Sequence, residues 1–427
     1  MLMNTSRNLA PVVVVLLLCT AEILSMAGFA TYPALLPLLR SQWGLSNSEA
    51  GLVSGAFFAG YMAAVPLLVG ITDRVDARRI YLLAAGLAAA GSLCFALFAG
   101  GLLSALAFQA LAGAGLAGTY MPGLRILTDH FHGAKQSRGV AFYTSCFGLG
   151  TTGSLFLAGF METAGWHWTF AAAALGPLIA GPLVFFVFPP VPPQPTGQSP
   201  LPVLDFRPIL GNHPVMGYIL GYAAHCWELF GLRSWMPAFF AFSLGLSASG
   251  TGPLFGAAAL AAWVNLLGPL ASIFGNEVAV RRDRRGVVLV VMAASGALSF
   301  LVGFSASLPT LVVFLLMAVY FLLVMGDSAA LTAGMVAAAE PGRRGAAMAL
   351  HSFLGFGAGF AAPLAFGAVL DLAGGDKGLT AWGLGFASLG IWGFGGGIVS
   401  LWRRAVKKKG PGEGNVSEYP SEPSDKA

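Results

Sequence analysis

Five ionisable side chains lie deep inside apolar stretches of this 427-residue chain: Glu22, Arg125, Glu228, Arg233 and Asp327. A charge in a hydrocarbon medium is costly, so each is expected to face a cavity, a partner or an ion path. Glu22 and Glu228 are the natural proton or cation carriers. Buried acids serve as proton relays in pumps and transporters. The same carboxylates could instead be fixed partners for Arg125 or Arg233. His225 stands three residues before Glu228, on the same face of a helix, where it could tune or relay a proton. Arg233 is about 7 Å further along that helix. Its guanidinium could grip a carboxylate or phosphate with two parallel hydrogen bonds, or neutralise Asp327. Arg125 is nearer a helix end and could snorkel towards water. Tyr32, Tyr120, Trp227 and Trp235 share these stretches and could shape a cavity. His351 reads as off the axis. Three acids, two arginines and one histidine suit a zwitterion, an organic anion docked on arginine, or a cation docked on glutamate. They do not suit a purely apolar ligand.

The elements that must position these groups are membrane spans. The chain is 56% hydrophobic and 10% charged, with mean hydropathy +0.76, too little charge to cover a soluble protein. Its apolar blocks are long enough to cross a bilayer core of about 30 Å as helices. Twelve spans are expected, over 10–38, 48–72, 79–99, 103–127, 139–161, 167–188, 212–243, 250–275, 286–305, 309–338, 345–371 and 379–402. The ionisable groups fall in spans 1, 4, 7 and 10, so every third helix lines one polar axis. Glu22 lies about 16 Å into its span, near the midplane. The four cysteines (19, 94, 146 and 226) all fall inside spans, with no metal-type spacing, and read as packing residues.

Basic residues follow the even-numbered spans: Arg74, Arg78 and Arg79; Lys135 and Arg138; Arg281, Arg282, Arg284 and Arg285; Arg343 and Arg344; then Arg403 to Lys409. The odd connections hold only Arg40 and Lys377. Both termini are therefore expected in the cytoplasm. The net charge of +5 reflects this asymmetry. No basic face is interleaved with aromatics, so no nucleic-acid partner is expected. The first apolar run contains Glu22 and continues to Leu39, so it reads as a span, not a cleaved signal.

One offset recurs. Glu22 to Glu228, Arg78 to Arg284 and Arg138 to Arg344 are each 206 positions apart. This indicates a tandem duplication: a six-helix half over 1–188, a Pro-rich linker over 189–211, a second half over 212–402, and a tail over 403–427 expected to be disordered. The expected fold class is an all-α membrane protein of twelve helices in two pseudo-symmetric halves, with the substrate site at their interface.

The segment Gly70-Ile-Thr-Asp73-Arg74-Val-Asp76-Ala-Arg78-Arg79 resembles the loop 2–3 signature of the major facilitator superfamily. The resemblance implies that Asp73 latches the cytoplasmic side against a helix N-terminus of the other half, with Gly70, Arg74 and Arg78 as gating partners. This chain departs from the pattern: Val69 and Asp76 replace the usual glycines, and the second copy has Ala279 where the aspartate would be. Gln109 stands where the family has a span-4 arginine. Span 5 lacks the Gly-Pro pair of drug antiporters, and spans 2 and 8 lack the arginines of nitrate carriers.

The implied activity is secondary active transport of a small polar or charged solute by alternating access. Coupling to protons through the buried carboxylates is expected, with uptake slightly favoured over export. No nucleotide, metal-ligand or catalytic motif is present, so neither enzyme activity nor a cofactor is expected. Two alternatives stand beside it: a carrier of a cation or metal such as iron, held by Glu22, Glu228 and Asp327, and a non-transporting sensor built on a transporter fold. The expected setting is the cytoplasmic membrane of a bacterium or an internal membrane derived from it. There the chain would act as a monomer whose partners are its solute, protons and lipid.

Overall fold

The computed structural model describes residues 10–71, 75–131, 133–190, 206–247, 256–340 and 343–394. Among them every regular element is helical. Of the expected features, Asp73, Arg74, most of the linker and the tail fall outside the described residues.

The elements are α1 (Pro11–Ser25), α2 (Thr31–Trp43), α3 (Asn47–Ile71), α4 (Ala77–Phe98), α5 (Leu102–His130), α6 (Gly133–Phe160), α7 (Trp166–Val187), the short α8 (Arg207–Leu210), α9 (His213–Ser247), α10 (Ala257–Asn265), α11 (Gly268–Arg281), α12 (Arg284–Val302), α13 (Thr310–Gly326), α14 (Ser328–Ala338), α15 (Arg344–Leu372) and α16 (Leu379–Gly390). Nine stretches among the described residues are helical, long and apolar enough to cross a membrane. Large apolar side chains such as Leu83, Leu103, Phe186 and Val290 are exposed around the perimeter, the surface a bilayer covers. The chain is a multi-pass integral membrane protein.

Three spans expected as continuous are broken. Span 1 parts into α1 and α2 at residues 26–30. Proline at 33 has no N–H, and its ring crowds the carbonyl four residues earlier, that of Phe29, which weakens the helix at this point. Ser154 on α6 takes up the freed groups, accepting from Ala30 N at 2.9 Å and donating to the Ala27 carbonyl at 2.7 Å. Span 8 breaks between α10 and α11, where Pro269 does the same work at the start of the second helix. Span 10 breaks at Asp327, directly after Gly326.

The helices meet differently at the two ends of the molecule. At the end that carries residues 43–47 and 372–379, one large core joins both parts of the chain, with Leu36, Phe58, Phe230, Trp235 and Phe366 in it. At the other end there are two separate cores. One holds Leu18, Tyr81, Leu127 and Val184; the other holds Tyr218, Val288, Leu331 and Met335. The basic connections cluster at this parted end.

The closed end is built for close approach. Gly51, Gly55 and Gly367 place α3 directly against α15; a Cβ at Gly51 would overlap the Pro363 carbonyl, and one at Gly55 the Phe360 carbonyl. Backbone proximity of this kind is how small residues hold helices together in lipid. Asp371, at the last turn of α15, accepts from Asn47 N (3.0 Å), Asn47 Nδ2 (2.8 Å), Ser48 N (2.8 Å) and Ser48 Oγ (2.6 Å). It thereby caps the N-terminus of α3. Arg40 and Asp376 form an ion pair beside it.

Candidate functional site

Arg233 occupies the centre of the molecule. Its side chain is buried, 7% exposed. Nε donates to Asn265 Oδ1 at 3.0 Å, and Asn265 is itself held by donation to the Ala261 carbonyl at 2.9 Å. The rings of Phe147 and Phe321 flank the guanidinium at 5.8 and 5.7 Å, a favourable placement for a cation. Around it a small cavity is lined from α2, α3, α5, α6, α9 and α10, with Tyr32, Ser54, Gln109 and Thr151 among its polar walls. This is where the break in span 1 matters: α2 starts afresh at Thr31, which puts Tyr32 into the cavity wall. Charge in an apolar span marks Arg233 in the sequence, and Tyr32 stands out as an aromatic able to shape the cavity; Asn265, Ser54 and Gln109 carry no charge, and only their polarity within apolar spans could signal them.

Asp327 does not neutralise Arg233. Its Oδ1 lies 2.7 Å from His225 Nδ1, both side chains buried, at ion-pair distance but without the alignment of a directed hydrogen bond. The break in span 10 places Asp327 there. Tyr222, one turn before His225, stacks on His351 with ring centroids 3.7 Å apart, and His351 Nε2 lies 3.4 Å from Thr332 Oγ1. His351 thus belongs with this polar group, a correction to its reading as off the axis. Its i-to-partner relation spans α9 and α15 and has no local signal in the sequence.

Glu22 is fully buried on α1. Its Oε2 is 3.0 Å from the Tyr143 hydroxyl, which is also 3.0 Å from the Tyr120 carbonyl. Oε1 has no partner among the described residues. The Tyr143 hydroxyl has one hydrogen and two acceptors. It can serve the carboxylate or, when the carboxyl carries a proton and itself donates, turn to the carbonyl. Glu228 has a different setting despite its matching position. Oε1 accepts from Tyr320 at 2.9 Å, and Oε2 lies 2.9 Å from Ser295 Oγ, which is also 3.0 Å from the Met292 carbonyl, so both oxygens have hydroxyl neighbours, on α13 and α12. Glu228→Gln is expected to lower thermal stability by about 1–3 kcal/mol while leaving transport in place. Transport abolished at full stability would make Glu228 a functional residue and not a structural one.

The remaining expected residues lie apart. Arg125 pairs with Asp129 one turn on, at 3.0 Å, with its side chain 44% exposed, and is not in the cavity wall. Trp235 is buried at the closed end, where Nε1 donates to the Pro363 carbonyl at 2.9 Å and the ring stacks on Phe366. Gly70 is in the last turn of α3. Arg78 binds Asp76 and the carbonyls of Phe185 and Phe188, partners of its own half. No three His, Cys, Asp or Glu side chains converge among the described residues. Glu22, Glu228 and Asp327 each have their own neighbours, so a shared cation or metal site built from these three is not present.

A membrane-embedded helical bundle with a central polar cavity, closed at one end and parted at the other, is the architecture of a solute carrier. The chain belongs to the Major Facilitator Superfamily, whose model matches residues 18–282. It is a transporter, not an enzyme. No curated protein matches it in sequence. Solved structures share the fold at low identity. A bacterial homolog of the human lysosomal transporter Spinster, inward-facing and occupied, has TM-score 0.71 at 15% identity, covering 93% of this chain and 97% of that one. A variant of the nucleoside transporter NupG has TM-score 0.76 at 14% identity, covering 91% and 100%. A D-xylose–proton symporter has TM-score 0.68 at 14% identity, covering 90% and 98%.

Proposed function

We propose that the protein moves a small polar or charged solute by alternating access, coupled to protons at Glu22. The halves 1–188 and 212–402 rock about the Arg233 cavity. The observation that carries this reading is the difference between the two ends: one core shared across both parts of the chain, two cores separate. The parted end bears the basic connections, so by the charge rule it faces the cytoplasm and the state is inward-facing. The setting is the cytoplasmic membrane of a bacterium or an internal membrane derived from it. Glu22 is the coupling group because its proton decides where the Tyr143 hydroxyl points, and so how α1 is tied to α5 and α6.

Spin labels at Ser46 and Lys377, and in a second sample at Arg138 and Arg281, test the motion. Lengthening of the first distance should accompany shortening of the second in part of the population. Single fixed distances in both pairs, at every pH and solute condition, would sink alternating access. Coupling is tested in proteoliposomes with Glu22→Gln. Exchange at equal solute concentrations should survive, while accumulation driven by a pH gradient should fall about 100-fold or to background. Unchanged accumulation in E22Q would remove the coupling role.

A further inference from the structure

We propose that the solute is a small monocarboxylate, with its carboxylate held by Arg233, Tyr32 and Ser54. The inference rests on the transport reading above and names the chemistry of the same site. Arg233 is a buried cation with no acidic partner among the described residues: the described cavity wall contains neither aspartate nor glutamate, and Asp327 is engaged with His225. A guanidinium withdrawn from water without a counter-charge is costly. Asn265 satisfies Nε alone, which leaves the terminal nitrogens, the pair that matches a carboxylate in fork geometry.

Two further donors face the same space. The hydroxyls of Tyr32 and Ser54 are buried and have no partner among the described residues; both residues line the cavity with Arg233. Buried hydroxyls are ordinarily bonded. They stand on α2 and α3, across from α9, so one anion would satisfy groups of both halves and favour the state in which they are together. A carboxylate has enough lone pairs for all of these donors.

Charge and size narrow the class. One arginine balances one negative charge; a phosphate or dicarboxylate would bring excess charge into a wall that has no second cation. Phe29, Phe57 and Phe58 form the apolar side of the cavity, suited to a short alkyl or small aromatic body behind the carboxylate. The cavity is narrow and walled by side chains of six helices, which favours short-chain acids over bulky ones. A solute cation would meet Arg233 as a like charge, which selects against amines.

The full-length protein purified in detergent would be titrated with sodium propionate, sodium chloride, inorganic phosphate and propylamine. Binding is read by calorimetry and by thermal shift. Propionate should bind and stabilise; R233Q should weaken it about 100-fold or more, R233K less. Y32F and S54A should each weaken it about tenfold, and these two keep the fold testable if R233Q is poorly stable. Chloride binding as tightly as propionate, with no effect of Y32F or S54A, would reduce the site to an inorganic anion site and overturn the proposal. Phosphate or propylamine binding in preference to propionate would also overturn it. Proteoliposome flux separates the two readings. Arg233-dependent propionate binding without flux would reject transport and keep the ligand class. Flux of an amine with no propionate binding would reject the class and keep transport.

Discussion

Replacing Asp371 by alanine is expected to open the closed end. The carboxylate takes four hydrogen bonds from Asn47 and Ser48 and faces the positive end of α3. Removing it strands two backbone N–H groups at a helix start, though water can reach them. A loss of about 1–3 kcal/mol in the closed-end state follows, which under the proposed alternating access moves the equilibrium between the two facings about 5- to 150-fold. The Ser46–Lys377 spin-label distance should show it as a grown long component. Asp371→Asn should fall between, since its amide can accept but brings donors towards donors. An unchanged distribution in D371A would show that helix packing alone holds the end shut. The geometry is that of the expected Asp73 latch turned over: an acid at the end of one span against the start of a span in the other half, but at the opposite side of the membrane.

The second large effect is steric. Gly51→Val is expected to prevent the closed end from forming. The added side chain would occupy the place of the Pro363 carbonyl, and backbone on both sides leaves nothing flexible to yield. The clash lies between α3 and α15, so the protein is expected to fold with that end apart. Transport should fall more than about tenfold, with the outer spin-label distance long under all conditions. Gly86→Val is the control. A Cβ at Gly86 meets nothing, and flux and distances should match the wild type. Normal flux in G51V would mean that α3 and α15 do not approach this closely during the cycle.

Much of the fold was legible because its signals are local. Span length, basic loops and the Gly70–Arg79 motif need no knowledge of packing, and together they led to the right family. The breaks are only partly legible: Pro33 and Pro269 disfavour continuous helix just before them, yet Pro122, Pro177, Pro237 and Pro363 stay inside unbroken helices, so proline alone does not mark a break. The site was half legible. Charge in an apolar span marks Arg233 and Glu22 from the sequence alone. It cannot tell that Glu22 faces one tyrosine with an oxygen to spare while Glu228, at the equivalent place, has a hydroxyl at each oxygen, from Ser295 and Tyr320. That difference depends on helix rotation and on residues 67 and 92 positions away. Nor does it mark Asn265, Ser54 and Gln109, whose polarity is neutral, or His351, whose neighbours come from other helices.

The interruption at residues 26–30 divides the first span into a piece carrying Glu22 and a piece carrying Tyr32, joined through Ser154. If a proton is read on one piece and a carboxylate on the other, the two occupancies share a single free energy of interaction. Thermodynamic linkage then makes the exchange symmetrical. The factor by which lowering the pH tightens the solute must equal the factor by which solute tightens the proton. Stiffening the joint raises that factor. Loosening it, as Ser154→Gly would, lets either passenger cross without the other, and the gradient dissipates as slip.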